Sequence, residues 1–260
     1  GATEATTTFD SSLLSGITRM DATDLSTTST GAITLLGGQT VLAGGLSTTL
    51  GGSSNADTVT GSLGDDTLSG GAAGSDTLTG GLGADTFAFR SAQTYKSGQA
   101  LTVITDFGFG EDVLDFSQLL GASEPESLTT LTGVGDPASA DFPELATLER
   151  DNAVVIEYAG TWPSGDPENP TVTETGSLTA RTATQIANLF SDITFDTTPT
   201  RGSKAIVIST DQTNGADVWL VENLTQLATI EVGEITKVGT IDSDFGDLFP
   251  SLIRGGAIIG

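Results

Sequence analysis

The aspartates of residues 52–88 recur at a spacing that suits one kind of chemistry, the holding of a hard cation by oxygen atoms. Asp57, Asp66, Asp76 and Asp85 lie 9, 10 and 9 residues apart, each at the end of a short glycine-containing run. The four segments are Gly52-Ser-Ser-Asn55-Ala-Asp57-Thr-Val-Thr, Gly61-Ser-Leu-Gly64-Asp-Asp66-Thr-Leu-Ser, Gly71-Ala-Ala-Gly74-Ser-Asp76-Thr-Leu-Thr and Gly80-Gly81-Leu-Gly83-Ala-Asp85-Thr-Phe-Ala. They follow the nonapeptide G-G-x-G-x-D-x-U-x, in which U is apolar; Gly70 is the one extra residue. Glycine reaches positive φ freely, so such a loop can curl and aim its carbonyls inward. Asn55, in the least regular repeat, tolerates that conformation better than other side chains. Calcium takes six to eight oxygens at ~2.3–2.6 Å, carboxylates and carbonyls together, and one loop offers half of that shell. Loops two repeats apart are therefore expected to share an ion, Asp57 with the third repeat and Asp66 with the fourth, while Asp76 and Asp85 complete or extend the rows.

A fifth, separated half-site follows. Residues 107–115 keep the register, with Gly108 at position two, Gly110 at four, Asp112 at six and Leu114 at eight. Asp112 is the expected partner at the far end of a row.

These loops need strands to hold them. An apolar residue (Val59, Leu68, Leu78 or Phe87) falls two positions after each repeat Asp, flanked by Thr, Ser or Ala. That alternation predicts a short strand with one inward side chain. Two nonapeptides make one coil of about 18 residues, so alternate loops stack on the same side. One inward side chain per nonapeptide is a thin core, too small to offset the backbone entropy of the residues it orders. Ion binding has to supply the difference, and the roll is expected to be unfolded without calcium.

Residues 1–50 carry short apolar beads (Ile33, Leu35, Val41, Leu46, Leu50) between Gly-Gly turns and read as irregular solenoid rungs or a Thr/Ser linker. Beyond 120 the repeat stops. Strands are expected at Ala153–Tyr158, Lys204–Ser209, Asp217–Glu222 and Ile230–Ile241, with a hairpin at Asn214-Gly215 and one helix over Thr182–Phe190. The fold class is thus mainly all-β: a parallel β-roll or β-solenoid plus a β-rich C-terminal domain with one short helix. The expected divisions are 1–50, a solenoid-like N-terminal segment; 51–120, the roll and its closing segment; and 121–260, the C-terminal domain. Exposed strand edges are expected at either end of the roll.

Composition limits the function. A net charge of −25 repels nucleic acid and anionic membranes and leaves the fold under self-repulsion unless cations neutralise it. With 37% hydrophobic residues in regular short runs, the chain is expected to fold. It has no Cys and no His, which excludes disulfides, His-based zinc sites and His-containing triads. No stretch reaches the ~18–20 apolar residues of a membrane span, and no signal peptide is expected in the first residues, which show no basic region and apolar core. Starting without Met, it is expected to be a fragment or a processed product. Pairs such as Asp65-Asp66 and Glu111-Asp112 sit in glycine-rich loops and read as ligands or solvated charges rather than acid–base dyads. There is no Gly-x-Ser-x-Gly elbow, and Asp211 and Asp217 flank a turn without EF-hand spacing.

The repeats resemble the RTX family of bacterial proteins exported by type I secretion. Gly80–Phe89, followed by Ile104-Thr-Asp106-Phe, Gly110-Glu-Asp112-Val-Leu-Asp115-Phe-Ser117, looks like the segment that closes the roll in serralysin-type proteins. The resemblance implies calcium between coils, Asp106, Asp112 and Asp115 as terminal ligands, and an uncleaved export signal in the C-terminal region. It also implies a chain that stays unfolded in the calcium-poor cytoplasm and folds outside the cell. Serralysins carry a His-Glu-x-x-His zinc motif that this chain lacks, and their C-terminal region is shorter. The N-terminal Met20-Asp-Ala-Thr-Asp-Leu25 with Gly31-Ala-Ile-Thr-Leu35 is similar to solenoid repeats of RTX-type S-layer and adhesin proteins. The expected role is non-enzymatic: a calcium-dependent extracellular assembly module of an S-layer-like or adhesive surface protein. Its expected partners are calcium, the type I secretion machinery, and other copies or the cell surface. The alternative is the calcium-folding export module of a secreted protease or lipase.

Overall fold

The computed structural model describes residues 7–10, 19–21, 33–36, 47–71, 73–90, 95, 101–108, 112–121, 128–133, 147–148, 153–158, 162–163, 173–174, 182–189, 194–195, 201–210, 215–242 and 258–259. By its internal contacts the chain forms two compact units. The first is Gly1–Gly121 with Gly239–Ser243 and Phe249–Ile259; the second is Ala122–Val238 with Asp244–Leu248 and Gly260.

In the first unit the small-polar/apolar alternation produces short strands: β1 (Thr7–Asp10), β2 (Arg19–Asp21), β3 (Ile33–Leu36), β4 (Thr49–Gly51), β5 (Thr58–Thr60), β6 (Thr67–Ser69), β7 (Ser75–Thr79), β8 (Thr86–Ala88), β9 (Leu101–Ile104) and β10 (Val113–Asp115). Odd-numbered strands pair in parallel as β1-β3-β5-β7-β9, and even-numbered ones as β2-β4-β6-β8-β10. Successive strands therefore alternate between two sheets, and each odd–even pair is one coil of a parallel β-roll. The register places Leu35, Val59, Leu78 and Ile104 in one ladder and Leu50, Leu68, Phe87 and Leu114 in the other. All eight are almost completely buried. The described strands of residues 1–50 lie in the same two sheets as the repeats.

After β10 comes a one-turn helix, α1 (Ser117–Leu120), ended by Gly121 at φ 76°. Its Leu119 is buried, and Phe116 stacks on Phe89 with ring centroids 4.8 Å apart.

The second unit contains β11 (Leu128–Gly133), β12 (Thr147–Leu148), β13 (Ala153–Tyr158), β14 (Trp162–Pro163), β15 (Thr173–Glu174), α2 (Ala183–Leu189), β16 (Thr194–Phe195), β17 (Lys204–Thr210) and β18 (Ala216–Glu222). Strands β11, β13 and β17 run parallel, and β18 joins β17 antiparallel, with Val207 opposite Trp219. Here the expected strands and helix stand within a residue or so of their predicted positions. Gly215 takes a φ of 109°, as the hairpin requires; Asn214 lies outside the described residues. Every residue of β18 is buried, Trp219 included, and its indole N–H donates to Ser209 Oγ at 3.0 Å. Lys237 Nζ stands 2.6 Å from the buried Asp217 carboxylate and 5.9 Å from the Trp219 ring centre.

One expected strand, Ile230–Ile241, is shorter than predicted. Val232–Glu234 form a 3-10 turn, and β19 runs only over Ile235–Ile241. The cause is the buried Glu234 carboxylate. It accepts the N–H groups of Leu224, Thr225 and Glu231 together with the Thr225 hydroxyl, and so holds the chain in a turn where its apolar pattern favours extension.

The last strands return to the roll. Gly239, Thr240 and Ile241 of β19 pair in parallel with Thr102, Val103 and Ile104 of β9, and β20 (Ile258–Ile259) pairs with Leu114 and Asp115 of β10. These residues, grouped by sequence with the C-terminal segment, form a sixth coil in the first unit. The edges of β9 and β10 are therefore covered, contrary to the exposed edge expected there: parallel strands with open N–H and C=O groups take whatever strand the chain offers. No helix among the described residues is long and apolar enough to cross a membrane.

Candidate metal centre

The coiling sorts the repeat loops into two rows. The described residues of loops 52–57 and 71–76 (71 and 73–76) lie between even and odd strands and stack on one side, while loops 61–66 and 80–85 and the described residues 105–108 and 112 lie between odd and even strands and stack on the other. Neighbours in a row are joined through their aspartates. Asp76 Oδ1 accepts the Asp57 N–H at 2.9 Å in the first row. In the second, Asp85 Oδ1 accepts the Asp66 N–H and Asp112 Oδ1 accepts the Asp85 N–H, both at 2.8 Å. Above them, Asp57 accepts from Ile33 N–H and Asp66 from Thr48 N–H and its hydroxyl. All five carboxylates are buried to 5% exposure or less. The first row ends differently. Asp76 lies within β7 opposite Thr102, whose hydroxyl meets the Tyr95 phenol at 3.2 Å.

The loops close in two ways. Gly71, Gly74, Gly81 and Gly83 take positive φ, as the motif predicts for glycine. Asn55 and Gly64 of the first two repeats do not, and Gly52 and Gly61 open their loops without it, as Gly80 does in the fourth. At position two the first two repeats carry a serine. Ser53 donates its N–H and hydroxyl to Asp57, and Ser62 does the same to Asp66. Each hydroxyl also accepts an N–H two residues on, from Asn55 and Gly64. A side-chain turn thus replaces the left-handed glycine. Ser53 and Ser62 were missed as loop builders, although their shared place after Gly52 and Gly61 was visible.

The oxygen atoms face across the layers. A Cβ added to Gly71 or Gly74 would collide with the carbonyls of Ser53 and Asn55, and one on Gly81 or Gly83 with those of Ser62 and Gly64. Carbonyls of one loop thus point at the glycines of the next, in space only a glycine leaves open. Among the described residues no three acidic side chains converge on a metal position, so any ion here must draw on carbonyls as well as carboxylates, the mixture calcium accepts. The electrostatics point the same way. Burial pushes the Asp76 carboxyl up from 3.8 to about 8, with the Asp57 charge adding to it. Burial likewise pushes Asp85 up to about 7, helped by the charges of Asp112, Asp66 and Asp106. Buried carboxylates that repel one another favour a divalent cation between them. The residues present therefore fit calcium.

The remaining predicted residues are distributed unevenly. Gly108 N–H donates to Asp112 Oδ2 at 2.7 Å, which keeps the fifth half-site in register; Gly110 and Glu111 lie outside the described residues. Asp106 joins the second row, where its carboxylate accepts the N–H groups of Gly80 and Gly81. Asp115 stands on β10, away from the loops, and accepts the Ser117 N–H at 2.9 Å. Asp65 is exposed and accepts the Ala84 N–H.

A coiled parallel sheet pair with stacked glycine–aspartate loops defines the class, a parallel β-roll. Among protein families, residues 51–87 match the RTX calcium-binding nonapeptide repeat, in four copies. The chain thus carries an RTX calcium-binding module, of the kind typical of proteins exported by type I secretion. No curated protein matches the chain.

Proposed function

We propose that the chain is a calcium-ordered extracellular structural module, the C-terminal part of an S-layer-like or adhesive surface protein exported by type I secretion. The observation that carries the reading is the second row, Asp66, Asp85 and Asp112, buried one above another and linked loop to loop. The pairs Asp57–Asp76, Asp66–Asp85 and Asp85–Asp112 would hold calcium, with carbonyls of the Gly52–Asn55 and Ser62–Gly64 stretches completing the shells. Bound calcium supplies the positive charge these carboxylates lack. The chain's own residues do the rest: the glycines and serines curl the loops, and the apolar ladders stack the coils. The role is non-catalytic, and the continuation of the roll into residues 1–50 supports a structural solenoid.

The test is a calcium titration of the purified chain followed by circular dichroism, then by light scattering and negative-stain microscopy. Calcium-dependent β-structure followed by ordered assemblies is the expected result. Calcium-induced folding that stays monomeric would replace it with the export module of a secreted enzyme. A roll equally folded in chelator would overturn the calcium reading.

A further inference from the structure

We infer that Asp106 is a clamp for the 80–85 loop, a positioning residue whose carboxylate takes the two N–H groups that open that loop. The case rests on a substitution of partners at equivalent positions. In three loops the N–H four residues before the repeat aspartate donates to that aspartate's own second oxygen: Ser53 to Asp57, Ser62 to Asp66 and Gly108 to Asp112. At Asp85 the matching N–H, that of Gly81, goes instead to Asp106 Oδ2 at 2.8 Å. The N–H opening each loop is diverted as well. Gly52 and Gly61 donate to the backbone carbonyls of Ser69 and Thr79 in the next coil, at 2.9 and 2.8 Å. Gly80 donates at 2.7 Å to Asp106 Oδ1. Asp106 immediately precedes the 107–115 nonapeptide, as Thr79 precedes Gly80. A side-chain carboxylate thus stands where the coil above uses a main-chain carbonyl.

This exchange has a consequence for Asp85. Its Oδ1 accepts the Asp66 N–H, and among the described residues no N–H donates to its Oδ2. The clamp takes the loop's donors and leaves Asp85, the middle member of the second row, with an oxygen uncommitted to its own backbone. Asp106 is well anchored for this. The neighbouring Thr105 donates its N–H to Leu78 O at 3.0 Å, and its hydroxyl meets that of Thr79 at 2.7 Å. A carboxylate accepting two N–H groups is a charge-assisted pair, stronger than the neutral bonds it replaces. The effect on calcium affinity rests on the calcium reading above; the clamp itself does not.

The test compares Asp106→Ala, Asp106→Asn and Asp85→Asn in the full chain. Amide exchange at Gly80 and Gly81 is read by NMR, and calcium stoichiometry and affinity by titration calorimetry. Asp106→Ala should speed exchange at Gly80 and Gly81 on the order of tenfold or more and weaken calcium binding without lowering its stoichiometry. Asp106→Asn, which keeps one acceptor oxygen, should fall between, and it carries both readouts if the alanine variant does not fold. Asp85→Asn should lower the calcium stoichiometry. Loss of a calcium equivalent in Asp106→Ala, matching Asp85→Asn, would make Asp106 a ligand and overturn the inference. Wild-type exchange rates at Gly80 and Gly81 in that variant would overturn it too. A wild-type chain that binds no calcium would sink the calcium reading, while the exchange rates would still decide the clamp.

Discussion

In the roll, a three-residue strand such as β5 buries a single apolar side chain, Val59, and hands the chain to a loop built around a buried aspartate. In the second unit, β18 buries all of Ala216–Glu222, and its one buried aspartate faces a lysine of the same unit. One region leaves its buried carboxylates to one another; the other supplies its own cation. The difference teaches where each draws its stability: the second unit from apolar burial and an internal ion pair, the roll from whatever neutralises its rows.

The strongest way to break that comparison is to remove calcium. Chelation should expose the amides of β5–β8 to hydrogen exchange while those of β17 and β18 stay protected; simultaneous loss in both would show one cooperative fold with one source of stability. Next in size is Trp219→Ala, which should cost the second unit about 3–5 kcal/mol, read as a lower urea midpoint. Calcium affinity should not move, and a large change there would couple what the comparison separates. A smaller effect is expected from Gly83→Ala. At φ 121°, with the new Cβ only 2.6 Å from the Gly64 carbonyl carbon, it should destabilise the calcium-loaded roll by about 1–3 kcal/mol. Gly64→Ala, at a position without positive φ, should escape the backbone part of that penalty, and thermal melts of the two variants sharpen the contrast between loops.

The smallest expected effect concerns pH in chelator. The folded-state carboxyls of Asp76 and Asp85 lie at about 8 and about 7, above the ordinary 3.8. A raised carboxyl favours folding while it is protonated. The contribution is therefore complete below about pH 4 and is lost as pH rises through 7 to 8. Residual protection of the β5–β8 amides should thus fall from pH 4 to pH 8 without calcium. A rise over that range would mean these carboxylates are not strained by their burial.

Much of the roll was legible because its signals are local. The nine-residue spacing, the apolar residue two places after each aspartate, and the Gly108–Asp112 half-site each lie within one repeat, and each emerges in register. Ser53 and Ser62 were less legible, since a serine at a glycine position looks like decay of the motif until its hydroxyl is seen on the aspartate. The shortened β19 was hidden for a similar reason: Val232 belongs to an apolar run, and only the pull of Glu234 on a turn ten residues earlier explains why it does not extend.

By itself the sequence determined the repeat, the strand–loop alternation, the two apolar ladders and the chemistry of the loops, because backbone conformation and side-chain alternation are set by near neighbours. Tertiary structure decided which aspartates meet, that Asp106 grips the loop of Gly80 and Gly81, and that β19 and β20 close the roll. Those contacts join residues far apart in the chain. Sequence shows which groups have unmet hydrogen bonds and charges, but which of them meet depends on the path by which the coils close.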